Sequence, residues 1–277
     1  MKLDISSTAV EKGIDLAKDF LDKLITPTVE ETGLLMKDQI ASWRFKNQIK
    51  ALTKAMEICK KHNINPKQIS FKLICPLLDY ASLEEDEVLQ DKWAVLISNL
   101  VDSDQNIENH VFPYILSQIS VNEYKSLEKS FWDKQKRIMA LNNRLEKFES
   151  IFTEKEAILL EKIEQHKNEF FGDYKYKEEL RKLKAEKDKI VHSLKEPESL
   201  DETGLKEFEI SNLIRLGLIK NVIAHYIHSK PLRISREDFE DDVNVDLEIG
   251  IDQDYEYNNI TELGELFIRA CTEKDKL

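Results

Sequence analysis

The stretch IMALNNRLEKFESIFTEKEAILLEKIEQHKNEFF (138–171) decides the fold class. Ile138, Leu141, Leu145, Phe148, Phe152, Glu156, Leu159, Ile163, His166 and Phe170 recur at intervals of three and four. Such spacing puts them on one face of a helix, and a period near 3.5 keeps that face against a partner helix. Phe171-Gly172-Asp173 interrupts the pattern, and Tyr176, Leu180, Leu183, Lys187, Ile190 and Leu194 resume it. The spacing predicts two helices that fold back at Gly172, an antiparallel coiled-coil arm over 131–196. A second copy of the chain could supply the partner helix instead. An ordinary long helix packed on the body is the plainer alternative.

On the N-terminal side the pattern is also helical. Val10, Ile14, Ala17, Leu21 and Leu24 form one apolar stripe over 7–25, and Thr26-Pro27-Thr28 ends it. Residues 29–62 predict one or two helices, with Gly33 as a break. Phe45, Ile49, Leu52, Met56 and Cys59 share one face there, and Lys46, Lys50, Lys54 and Lys61 share the opposite one. Trp43 falls on the basic side. His62–Pro66 is a turn, and a helix is expected over 70–81. Ser82, with Glu85 three residues on, reads as a capping box for a helix carrying Leu89, Trp93, Leu96 and Ile97. After the polar loop 102–109 comes an apolar helix over 110–119, and Ser120 with Glu123 caps the next one.

On the C-terminal side, Leu205–Leu216 predicts a short helix with Gly217 at its C′ position. The β-branched run IKNVIAHYIHSKPLRIS (219–235) and an acidic stretch follow, then NNITELGELFIRAC (258–271), in which Thr261 caps a last helix. That order suggests a winged-helix-like α/β module. The expected architecture is therefore mainly α. It has an N-terminal helical domain (1–130), the hairpin (131–196), and the winged-helix-like module (197–277) with an acidic segment (237–256).

Composition narrows the function classes. Seven Gly and six Pro in 277 residues disfavour a turn-rich β-sandwich or barrel, and no phosphate-binding glycine loop is present. The net charge of −12 is local: residues 237–256 hold ten acids and no base, and without them 41 bases face 43 acids. Cys59, Cys75 and Cys271 form no CxxC and are expected to be reduced thiols of a cytoplasmic protein. The N-terminus lacks a signal-peptide core, and no run approaches the roughly 20 apolar residues of a membrane span.

Chemistry-bearing motifs are sparse. His225-x-x-His228 lies in an expected strand, where residues three apart face opposite ways, so chelation there is poor. Cys59-x-x-His62 has no second pair nearby. The acidic stretch lacks EF-hand spacing. No catalytic motif, metal or cofactor is expected. The presumed recognition helix (203–216) balances Lys206 and Arg215 against Glu207 and Glu209, and the presumed wing is acidic, which disfavours phosphate contact.

WRFKNQIKALTKAMEICKKHNINPKQISFKLICPLLDYASLEEDEVLQDKWAVLISNLVD (43–102), together with NLIRLGLIK (212–220) and ITELGELFIRAC (260–271), resembles the abortive infection alpha family of bacterial proteins. The Lys72–Ala94 block carries most of the specificity. The resemblance covers roughly 14–120 and 205–271, and the arm is an insertion relative to the usual pattern. It implies a bacterial cytoplasmic protein of phage defence and supplies no catalytic motif. Caps, turns and core packing account for the matched positions Trp43, Arg44, Gln48, Pro76, Glu84, Asp86, Gln90, Trp93 and Asn99.

The expected function is thus a non-enzymatic phage-defence protein acting through protein contacts, with a protein partner or as a homo-oligomer assembled through the arm. The candidate interaction surface is the basic face, Trp43, Arg44, Lys46, Lys50, Lys54 and Lys61, with the acidic residues Asp238, Glu240, Asp241 and Asp242 as its complement. The alternative is a nucleic-acid-binding sensor that uses the basic face.

Overall fold

The computed structural model describes residues 8–24, 42–103, 110–167, 172–196, 198–229 and 249–276. The described residues are mainly helical, with one two-stranded antiparallel sheet among them. In order the elements are α1 (Thr8–Leu24), α2 (Ser42–Lys61), α3 (Phe71–Leu83), α4 (Glu87–Val101), α5 (Val111–Gln118), α6 (Val121–Gln165), α7 (Tyr174–Lys195), α8 (Glu207–Arg215), β1 (Ile219–Ser229), β2 (Ile249–Ile260) and α9 (Glu262–Ala270).

α1 buries Ala17, Phe20, Leu21 and Leu24, and α2 answers with Ala51, Leu52, Ala55 and Cys59. α4 runs through the middle: every residue from Trp93 to Val101 is buried. A helix that is apolar nearly all round belongs in the interior. The same apolar cluster takes in Leu213 of α8, Ile219 of β1 and Phe267, Ile268 and Ala270 of α9. The C-terminal helix therefore packs into a core begun by the N-terminal ones.

Asn99 of α4 secures that junction. Its Nδ2 donates to the carbonyls of Ala270 and Thr272, both at 2.9 Å, in a buried setting. Those carbonyls belong to the end of α9, where helix geometry leaves acceptors without donors. Asn99→Ala would strand them away from water, at a cost of about 2 kcal/mol. The expected result is a fall in thermal midpoint of about 4–8 °C by circular dichroism. An unchanged midpoint would show that the bonds contribute nothing net.

Helix starts agree with the sequence in two places and depart from it in a third. Ser120 and Glu123 form the expected capping box, and Thr261 accepts from the Gly264 N–H. Ser82 is not a cap. It is buried in the last turn of α3, where its hydroxyl donates to the Asp79 carbonyl at 2.6 Å and accepts from Arg44 Nε at 3.1 Å. The cap of α4 is Asp86, whose Oδ1 accepts from Val88 N and Leu89 N. Glu84, Glu85 and Asp86 therefore precede the helix, and only Glu87 of the four acids lies in it. The fixed charge of Asp86 sits where the helix dipole favours it.

α6 is one continuous helix of 45 residues, because no Gly or Pro interrupts 121–165. Its first three turns bury Tyr124, Leu127 and Phe131 in the core. Trp132 still packs on the core and Lys134 still pairs with Glu265 of α9; beyond them α6 leaves the body, and α7 returns along it. Arg137 closes the base of this hairpin: Nη1 donates to the Ser193 carbonyl, Nη2 to the Glu196 carbonyl and Nε to Glu198 Oε2, at 2.6–2.7 Å. Further out, Glu149 pairs with Lys187 at 3.1 Å and Glu156 with Lys184 at 3.3 Å, which fixes an antiparallel register. Among the described residues of the hairpin past Phe131, only Phe152, Leu159 and Ile190 are buried. Glu156 sits at the edge of the seam rather than inside it, since Phe152 and Glu156 are spaced by four after another step of four.

β1 and β2 pair from Ile219↔Ile260 to Ser229↔Ile249, with an irregularity between Ala224 and Tyr226. Gly217, after α8, has φ +72°, the left-handed C′ conformation expected for it.

Candidate functional site

The polar face of α2 meets the α3–α4 corner. Arg44 Nη2 lies 2.5 Å from Asp79 Oδ1. Asn47 Nδ2 donates to the carbonyls of Ser82 (3.1 Å) and Glu84 (2.9 Å), and Gln48 Nε2 to that of Leu78 (3.3 Å). Lys50 Nζ donates to Gln90 Oε1 at 2.6 Å, and Gln90 in turn donates to the Glu84 carbonyl at 2.9 Å. Lys54 pairs with Asp91. The sequence-predicted basic face is thus distributed among partners on α3 and α4. Lys46 is exposed.

Lys61, at the end of α2, reaches a different set of partners. Its Nζ lies 2.7 Å from Glu273 Oε2 and 3.2 Å from Asp275 Oδ2. These hydrogen bonds raise the Lys61 pKa, and the Lys61 ammonium holds the Glu273 carboxyl below its usual range. His62 Nε2 joins at 3.3 Å from Glu273 Oε2. Among the described residues, His62, Glu273 and Asp275 bring one ligand atom each within 4.8 Å of one another. Lys61 pairs with both carboxylates and Lys276 approaches Glu273 at 3.7 Å, so the cluster reads as an ionic clasp on the C-terminal segment. No local signal could have announced it, because its members are more than 200 residues apart in sequence.

α8, the presumed recognition helix, turns Glu209 and Asn212 toward the body and leaves Glu207, Ser211 and Arg215 exposed. Glu209 is buried, accepting from Ser120 Oγ and the Lys206 N–H, each at 2.9 Å. The Lys206 N–H keeps its carboxyl below the usual range. Asn212 Nδ2 donates to the Gln118 carbonyl and to Glu123 Oε1. Arg215 is held by Asn212 Oδ1 at 2.7 Å. Phe208 stays exposed.

Asp238, Glu240, Asp241 and Asp242 lie outside the described residues, as does the side chain of Trp43. Residues 249–256 of the acidic segment fall in β2, and His225 and His228 in β1. Cys59, Cys75 and Cys271 are free thiols. Burial pushes Cys59 up to about 11, and Cys271, fully enclosed, is raised further. Neither carries the thiolate that nucleophilic chemistry needs. Among the described residues, no helix is long and apolar enough to cross a membrane.

The matched block acquires physical reasons from this geometry: Asp86 caps, Gln48 and Gln90 bridge, Trp93 fills the core and Asn99 ties α4 to α9. No curated protein and no solved structure matches the chain. The family model for abortive infection alpha matches residues 41–271, from the start of α2 to the end of α9, and the chain belongs to that family.

Proposed function

We propose that this chain is a bacterial cytoplasmic phage-defence protein that acts by protein contact rather than by catalysis, with the α6–α7 hairpin as its contact device. The hairpin supports this reading: a long helical pair that buries only three side chains beyond its base and leaves Met139, Ile151, Ile158 and Leu160 exposed. Of these, Ile151 and Ile158 lie two turns apart on one side of α6, and a partner that covers them would remove that apolar surface from water. The seam spacing further suits coiled-coil packing, and the β1–β2 hairpin between α8 and α9 suits a winged-helix-like module serving as a docking unit. The inward ion pairs of α2 leave little free positive charge there for phosphate.

The test is phage plating on cells expressing the full chain. The I151E/I158E double variant is expected to lose protection while keeping native helicity, since both positions are exposed. A K46E/K50E/K54E variant tests the alternative. Salt-sensitive binding of DNA or RNA by the wild type, lost in that variant together with protection, would replace the contact reading with a nucleic-acid sensor.

A further inference from the structure

The two faces of the hairpin differ. On one, Glu149–Lys187 and Glu156–Lys184 bridge the helices. About 120° round α6, at 100° per residue, lies an open groove of about 410 Å³. Leu159 and Leu183 form its floor, and Ile158 stands at its rim, 44% exposed. Ile151, two turns earlier on the same side, is 49% exposed. The α6 wall carries Lys155 and Lys162, and the α7 wall carries Glu179 and Glu186. Both pairs are seven residues apart, two helical turns. Lys182, between the glutamates, is drawn to Glu178 at 3.7 Å.

We propose that this groove receives the same groove of a second copy of the chain, the two arms lying face to face and parallel. This rests on the reading of the hairpin as a contact device. The charge rows select both occupant and orientation. The ion pairs Glu156–Lys184 and Glu149–Lys187 set which residues of α6 and α7 stand at one height. By that register Lys155 is level with the Glu186 region and Lys162 with the Glu179 region. A two-fold axis along the arm puts α6 of each copy opposite α7 of the other at unchanged height. Lys155 then meets Glu186 of the second copy, and Lys162 meets its Glu179. An axis across the arm would put α6 opposite α6 and bring lysine rows together. A closed two-fold contact needs such self-complementarity, and opposed charges orient it while the isoleucines and leucines are covered.

Sedimentation of the full chain tests this. The wild type is expected at twice 32.4 kDa. I151E/I158E is expected to be monomeric with unchanged far-UV circular dichroism. K155E/K162E should weaken association roughly ten-fold, since several cross-copy pairs become repulsive, and adding E179K/E186K to the same chain should restore it. A wild type that stays monomeric, a dimer indifferent to I151E/I158E, or a charge swap that fails to rescue would each overturn the pairing. The two readings separate cleanly. Loss of protection in I151E/I158E with a monomeric wild type ends self-pairing and keeps the contact reading. Loss of dimer with intact protection does the reverse.

Discussion

Replacing Phe267 with alanine is expected to destabilise the protein by about 3–5 kcal/mol, the usual cost of emptying a fully buried aromatic site. The ring of Phe267 is completely buried. It lies 6.0 Å from the ring of Phe112 on α5 and 6.3 Å from that of Tyr124 on α6, tilted against one and edge-on to the other. Those geometries suit the aromatic quadrupole and add to the area term. Removal leaves a hole walled by rigid rings on helices anchored elsewhere, so little collapse can follow. The thermal midpoint should fall by about 6–20 °C. Phe208→Ala is the matched control: its ring on α8 is 67% exposed, and its loss should stay within about 0.5 kcal/mol. A Phe267→Ala protein as stable as that control would refute a core shared by α9 and the N-terminal helices.

That shared core was only half legible in the sequence. Local signals read well. The Ser120–Glu123 box and the left-handed Gly217 follow from near-neighbour chemistry, and each stands where expected. Signals that depend on distant partners did not. Ser82 looks like a cap until Arg44, 38 residues away, takes its hydroxyl and leaves the capping to Asp86. The lysines of α2 look like a free basic face because Asp91, Glu273 and Asp275 lie far along the chain. Periodicity shows which face of a helix is polar, but not what meets it. The two long helices of the arm were legible for the same reason, since three-and-four spacing and the absence of Gly and Pro are local.

Gly264→Ala sets helix propensity against packing, and packing is expected to win. Alanine is favoured over glycine by about 1 kcal/mol inside a helix, so propensity alone predicts a gain. A Cβ at Gly264, however, would stand 2.3 Å from the Leu218 carbonyl oxygen and 2.9 Å from Ile260 Cγ2. The first obstacle is backbone and cannot rotate aside. That same oxygen accepts from the Thr261 N–H at 2.9 Å and from Thr261 Oγ1 at 3.1 Å, and Thr261 is the N-cap of α9. Displacing it therefore loosens the start of the helix as well as its contact with the β1 segment. The expected net loss is about 2–4 kcal/mol, read from the urea midpoint at unchanged slope. Gly217 offers the contrast. At φ +72° an alanine there is strained by about 1–2 kcal/mol, but its Cβ would meet only Leu263 Cδ2 at an ordinary 3.7 Å. Asparagine, which tolerates that conformation, should recover part of the loss at 217 and none at 264. The Leu-Gly pairs of RLGLI and ELGEL thus look alike in sequence and hold for different reasons: one glycine for its backbone angle, the other for the space a neighbouring carbonyl needs. A Gly264→Ala protein that is as stable as the wild type would mean that α9 can slide outward at no cost, and the same slide would then blunt the Phe267 effect.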